Sequence, residues 1–147
     1  MVASAPKASP RQYWTVALLT MLVGGLLYVL WRSDSLFMFG WFRSLGAERI
    51  VAGLRAAARP YRNNVPDWAI YSLPQGLWCF SGLIALRAIW QRVPDSPGLY
   101  IWSVAFAVAC FTLEWGQLLG MVPGQFDRVD LAFLAAASVT ACYYGGL

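Results

Sequence analysis

Four stretches of this chain carry enough consecutive apolar residues to be read as membrane helices: residues 13–31, 68–90, 99–121 and 131–146. At 1.5 Å per residue, about 20 residues cross a hydrocarbon core about 30 Å thick, so the first three are long enough and the fourth is marginal. Helices are the only reading, because four segments cannot close a barrel and an open sheet leaves unpaired backbone groups in lipid. The second stretch is entered through Val65-Pro66-Asp67 and interrupted by Leu73-Pro74-Gln75-Gly76, and Gly24-Gly25 marks a close-packing spot at the centre of the first. The pattern predicts an all-α polytopic membrane bundle of four transmembrane helices forming one membrane domain, residues 13–147, after a disordered N-terminus, residues 1–12.

Between the first two spans the pattern changes. In residues 35–64, Leu36, Phe37, Phe39, Trp41, Phe42, Leu45, Ile50, Val51 and Leu54 are interspersed with Arg43, Arg49, Arg55, Arg59 and Arg62. Such mixing predicts an in-plane amphipathic helix or helical hairpin, its apolar face at the acyl boundary and its guanidinium groups at phosphate level. The segment then serves either as an interfacial brace with snorkelling arginines or as a source of arginines that turn inward.

Tyr13, Trp14, Trp31, Trp68, Trp90, Tyr100, Trp102, Tyr143 and Tyr144 fall near span ends, as an interfacial aromatic belt does. A cleaved signal sequence is the alternative for residues 1–31. The first apolar run is longer than the 7–15 residues usual for a signal core, and Trp31-Arg32-Ser33-Asp34 lacks a small-x-small site, so an anchor is expected. Basic residues near span ends number seven on the side of segments 32–65 and 122–129, and four on the other. That difference slightly favours an N-terminus outside, whereas Lys7, Arg11 and the terminal amine favour the opposite arrangement.

Composition agrees with a membrane protein: 59% of the 147 residues are hydrophobic and 12% charged, against soluble averages of about 45–50% and 25%. Histidine is absent, removing the commonest metal ligand and the ordinary base near neutral pH. Cys79, Cys110 and Cys142 sit in separate apolar segments without metal-ligand spacing, so they read as small buried hydrophobes, with neither a metal nor a cofactor expected. The net charge of +4 rests almost wholly on arginines flanking apolar spans, which suits anionic lipid headgroups and not nucleic acid.

Glu114 breaks this plan, because it lies inside the uncharged third span. A carboxylate at such a position costs about 2.5–3.5 kcal/mol on insertion scales and marks a functional site by default. Gln117 lies on the same helical face, and Asp127 and Asp130 follow one loop later, so three of the seven acidic residues fall in one corner of the sequence. Arg87 and Gln75, from the second span, are further candidates for that region. Two ordinary roles compete: Glu114 as interhelical glue through Gln117 or Arg87, and Asp127 and Asp130 as the cap and first turn of the last helix.

The Glu-x-x-Gln of Glu114 and Gln117, a proline-containing turn, and Phe126-Asp127-x-x-Asp130-Leu131 opening a final apolar helix resemble the C-terminal signature of VanZ-like membrane proteins. The resemblance covers residues 60–140. Gly124 and Gln125 stand where that family's turn arginine is expected, and residues 132–137 hold no asparagine. What it implies is a multi-pass protein of the bacterial inner membrane acting at the cell envelope; it carries no settled reaction.

Three functions are compatible with these residues. The first binds a lipid headgroup or envelope precursor, with Glu114, Gln117, Asp127, Asp130, Arg87, Arg55 and Arg43 as binding residues and membrane lipids as partners. The second is an accessory subunit of a larger membrane complex. The third is an enzyme or proton-coupled carrier using Glu114, for which no nucleophile and base pair can be named.

Overall fold

The computed structural model describes residues 9–33, 37–93, 96–122 and 125–147. Those residues are helical throughout their regular elements. α1 spans Pro10–Trp31, α2 Phe37–Ser44 and α3 Glu48–Ala58; a 3₁₀ segment, Arg59–Asn64, and the short α4, Asp67–Tyr71, follow. α5 spans Leu73–Ile89, α6 Pro97–Leu118 and α7 Arg128–Gly145.

Local chemistry sets most of these boundaries. α1 begins inside the stretch expected to be irregular, because Ser9 and Gln12 form a reciprocal capping box ahead of Pro10, a residue suited to the first helical turn. The rest of that stretch, residues 1–8, lies outside the described residues. Ser96 caps α6 with Pro97 at its start, and Asp127 caps α7. The second apolar stretch is two helices rather than one. Pro74 has no N–H to return to the carbonyl of Ile70 and its ring crowds that turn, so the chain breaks at Ser72 and restarts as α5. Between α2 and α3 the chain reverses at Gly46, whose φ of +69° is strained for residues with a Cβ. The amphipathic segment is therefore a helical hairpin.

α5 is the centre of the bundle. It packs against α1 and α7 over most of its length and against α6 over part of it. Ser81 donates to the Ala17 carbonyl at 2.7 Å and Trp78 Nε1 to the Met21 carbonyl at 3.3 Å, so α1 and α5 are antiparallel. α7 runs parallel to α5, from the stacked pair Trp68 and Phe133 at one end to Arg87 Nε donating to the Gly145 carbonyl at 2.6 Å at the other. α6 is antiparallel to α5, placing its C-terminal end beside α5's start. The core where these helices meet is Tyr13, Ala17, Cys79, Leu83, Ile84, Ala88, Leu134, Ala137 and Ala141.

Small residues let the backbones approach. A Cβ on Gly24 would lie 2.8 Å from Trp78 Nε1, whereas one on Gly25 would meet nothing within 4 Å, so the close-packing spot is Gly24 alone. Tyr13 belongs to this core and not to an interfacial belt: it is buried against Tyr144, with the Arg87 guanidinium 5.8 Å from its ring. Of the three cysteines, all free, Cys79 is buried, Cys110 half-buried and Cys142 exposed, because Cys142 faces away from α5.

α1 and α6 are each long and apolar enough to cross a membrane, and only 11% and 17% of their most apolar windows are buried in the bundle. The core helix of a soluble protein is mostly covered by its own chain, and these helices are not. Their outer faces show Leu18, Leu19, Leu22 and Leu26 on α1 and Ile101, Val104 and Val108 on α6. α5 is apolar but shorter, and α7 is not among the helices long and apolar enough to span.

Replacing Gly24 by Leu is expected to destabilise the bundle by about 1–3 kcal/mol, the usual cost of overpacking. Gly25→Leu should be close to neutral. Thermal unfolding of both variants in detergent checks the pair, and equal destabilisation would show that α1 does not approach α5 at Gly24.

Candidate functional site

Glu114 is fully buried near the C-terminal end of α6. Its Oε1 accepts a hydrogen bond from Gln75 Nε2 at 2.5 Å, a contact between α6 and the first turn of α5. Its Oε2 meets no donor among the described residues. Asp130, in the first turn of α7, is 9% exposed and its Oδ1 is likewise without a donor among the described residues; buried Ser72 lies beside its carboxyl. A buried carboxylate oxygen is normally satisfied, so two in one region need an explanation.

Both line a single cavity of about 860 Å³ at the end of the bundle where α1 and α6 finish and α4, α5 and α7 begin. Ser72, Gln75, Gln117, Gln125, Asp67 and Asp127 add to its polar wall, and Tyr28, Trp68, Tyr71 and Phe126 supply aromatic surface. Its basic residue is Arg32, directly after α1, whose guanidinium lies 5.3 Å from the Tyr28 ring centre and 5.0 Å from that of Tyr71. Contacts of this kind hold a cation without neutralising it. Arg32 Nε is buried with no acceptor among the described residues.

The Asp127 carboxylate accepts from the Val129 N–H at 2.9 Å, so its capping role is real. Capping does not account for Asp130, which faces the cavity. Asp67 Oδ1 accepts from Arg62 NH2 at 2.6 Å, and this carboxylate raises the pKa of the Arg62 guanidinium.

The structure thus gathers five of the residues singled out from sequence, Gln75, Glu114, Gln117, Asp127 and Asp130, and makes Gln75 the partner of Glu114. Arg87 is elsewhere. Twelve residues beyond Gln75 on the same helix, it is about 18 Å away along the axis, capping the end of α7 through the Gly145 carbonyl. Arg43 and Arg55 line a separate cavity beneath α2 and α3. The cation sequence reading missed is Arg32. Alternating spans put the end of the first and the end of the third on one side of the bundle, which is the signal that would have found it.

Carboxylates accept hydrogen bonds and attract cations, so this cavity suits ammonium or hydroxyl donors, with Arg32 available to an anionic group of the same ligand. No cluster of three potential metal-ligating side chains occurs among the described residues. Comparison of the chain with protein-family models, with curated protein sequences and with solved structures gives no match.

Gln75→Leu removes the one donor to Glu114 among the described residues and is expected to cost about 1–3 kcal/mol, the penalty for an orphaned buried acceptor. Adding Glu114→Leu should recover part of that loss, because two apolar partners replace a broken pair. A double variant less stable than Gln75→Leu alone, by thermal unfolding in detergent, would contradict this pairing.

Proposed function

We propose that this chain is a VanZ-like multi-pass protein of the bacterial inner membrane that binds a lipid headgroup or envelope precursor in the cavity around Glu114. In this reading α1, the combined α4 and α5, α6 and α7 are the four membrane crossings. Their alternating directions and the apolar outer faces of α1 and α6 support it. Glu114 and Asp130 then lie near one membrane surface, within reach of headgroups.

The observation that carries the reading is the pair of buried carboxylate oxygens, Glu114 Oε2 and Asp130 Oδ1, lining one cavity with no donor among the described residues. A headgroup bearing an amine or several hydroxyls satisfies both, and the aromatic rings of Trp68 and Phe126 provide surface for its carbon atoms. Helix glue explains Oε1 of Glu114, through Gln75, and leaves Oε2 unexplained.

Native mass spectrometry of the protein extracted gently from its own membrane should show a discrete lipid or lipid-linked adduct. Glu114→Gln keeps an oxygen for Gln75 and removes the charge, so it should lower adduct occupancy at least tenfold while the protein stays folded. If no adduct loses occupancy in Glu114→Gln, or a stoichiometric protein companion stands in its place, the reading is overturned.

A further inference from the structure

A second cavity, about 820 Å³, opens between the last turn of α1 and the α2–α3 hairpin with its 3₁₀ extension. Four arginines line it, Arg43, Arg55, Arg59 and Arg62, with one acidic residue, Glu48. We propose that this cavity is a phosphate site, built to hold the phosphodiester of an anionic phospholipid by the hairpin's arginines.

Arg55 makes the site a built feature. Its NH1 donates to the carbonyls of Val29 and Arg32, each at 2.8 Å, so it ties α3 to the end of α1; its guanidinium carbon also lies 5.1 Å from the centre of the Phe39 ring. Arg62 is fixed by Asp67. Two of the four cations are thus held in place by the fold. Among the described residues Arg62 and Asp67 form the ion pair present, so Arg43 and Arg59 have no carboxylate within bridging distance. An arginine that merely snorkels needs only water above its own stem. Four that line one cavity, two of them bonded across to other helices, answer a common anion.

The residue type identifies the anion. Guanidinium forks bind phosphate oxygens bidentately, a geometry a lysine ammonium cannot reproduce, and every cation here is arginine. The remaining wall is apolar, with Leu30, Trp31, Phe42 and Val51, which gives the glycerol and first methylenes of a lipid a surface that free phosphate does not use. Residues 30 and 31 face this cavity while Tyr28 and Arg32 face the acidic one, so the two share the end of α1 as a wall and no lining side chain except through the Arg62–Asp67 bond.

The test titrates the full chain, in a neutral detergent, with phosphatidylglycerol and separately with diacylglycerol of the same acyl chains, read by native mass spectrometry. Phosphatidylglycerol should bind at least tenfold tighter than diacylglycerol. Arg43→Gln/Arg59→Gln should abolish that preference, and Glu114→Gln should leave it intact, which separates this site from the acidic cavity. Arg43→Lys/Arg59→Lys keeps the charge and should weaken binding severalfold through loss of the fork, giving a reading even if the glutamine pair misfolds. Competition by inorganic phosphate distinguishes the source: complete displacement at millimolar concentration assigns the same site to free phosphate, and persistence of the lipid assigns it to the headgroup. Equal binding of the two lipids, or undiminished binding by both double variants, overturns the proposal.

Discussion

Polar groups inside an apolar bundle have no water to fall back on, and in this protein α5 is where they are answered. Its first turn gives Gln75 to Glu114 of α6, its middle gives Trp78 and Ser81 to backbone carbonyls of α1, and its last turn gives Arg87 to the end of α7. Each neighbouring long helix is therefore registered against α5 by at least one directional bond as well as by packing. Dispersion and apolar packing hold such helices together without fixing where along their length they meet. The bonds from α5 supply that missing register.

The same arrangement concentrates charge at one end. α1 finishes there with Arg32, α6 brings Glu114, α7 opens with Asp127 and Asp130, and the α2–α3 hairpin folds back over α1 with its arginines. The last turn of α1 separates an acidic cavity from a basic one, and the Arg62–Asp67 bond joins their rims. At the opposite end the charge is spent structurally. Arg87 is 3% exposed and its Nε serves a helix terminus, where the macrodipole is negative and a cation is favoured. Two cations at helix ends, Arg87 in the last turn of α5 and Arg32 directly after α1, thus have different roles because different elements face them.

Residues 13–31, 68–90, 99–121 and 131–146, read from apolar run length, overlap α1, α4 with α5, α6 and α7, and the mixed segment 35–64 contains the α2–α3 hairpin. Run length reports helices well because hydrophobicity is a local property of the chain. It reports ends less well, as the Ser9 capping box and the break before Pro74 show, since both depend on hydrogen bonds that mean hydropathy does not register.

By itself the sequence determined that the chain is helical and apolar in four stretches, and that Glu114, Gln117, Asp127 and Asp130 stand out chemically; that two of its helices, α1 and α6, are long and apolar enough to cross a membrane came from the structure, which breaks the second stretch before Pro74. Those features follow from composition and from spacing within one or two elements. Only the tertiary structure decided which arginine meets the acidic residues, that Gln75 and not Gln117 or Arg87 bonds Glu114, and that Arg43 and Arg55 belong to a cavity of their own. The physical reason is rotational. Each helix can turn about its axis without changing its hydropathy, and the face it presents is fixed by close approaches such as Gly24 against Trp78 and by bonds between residues as much as 64 positions apart.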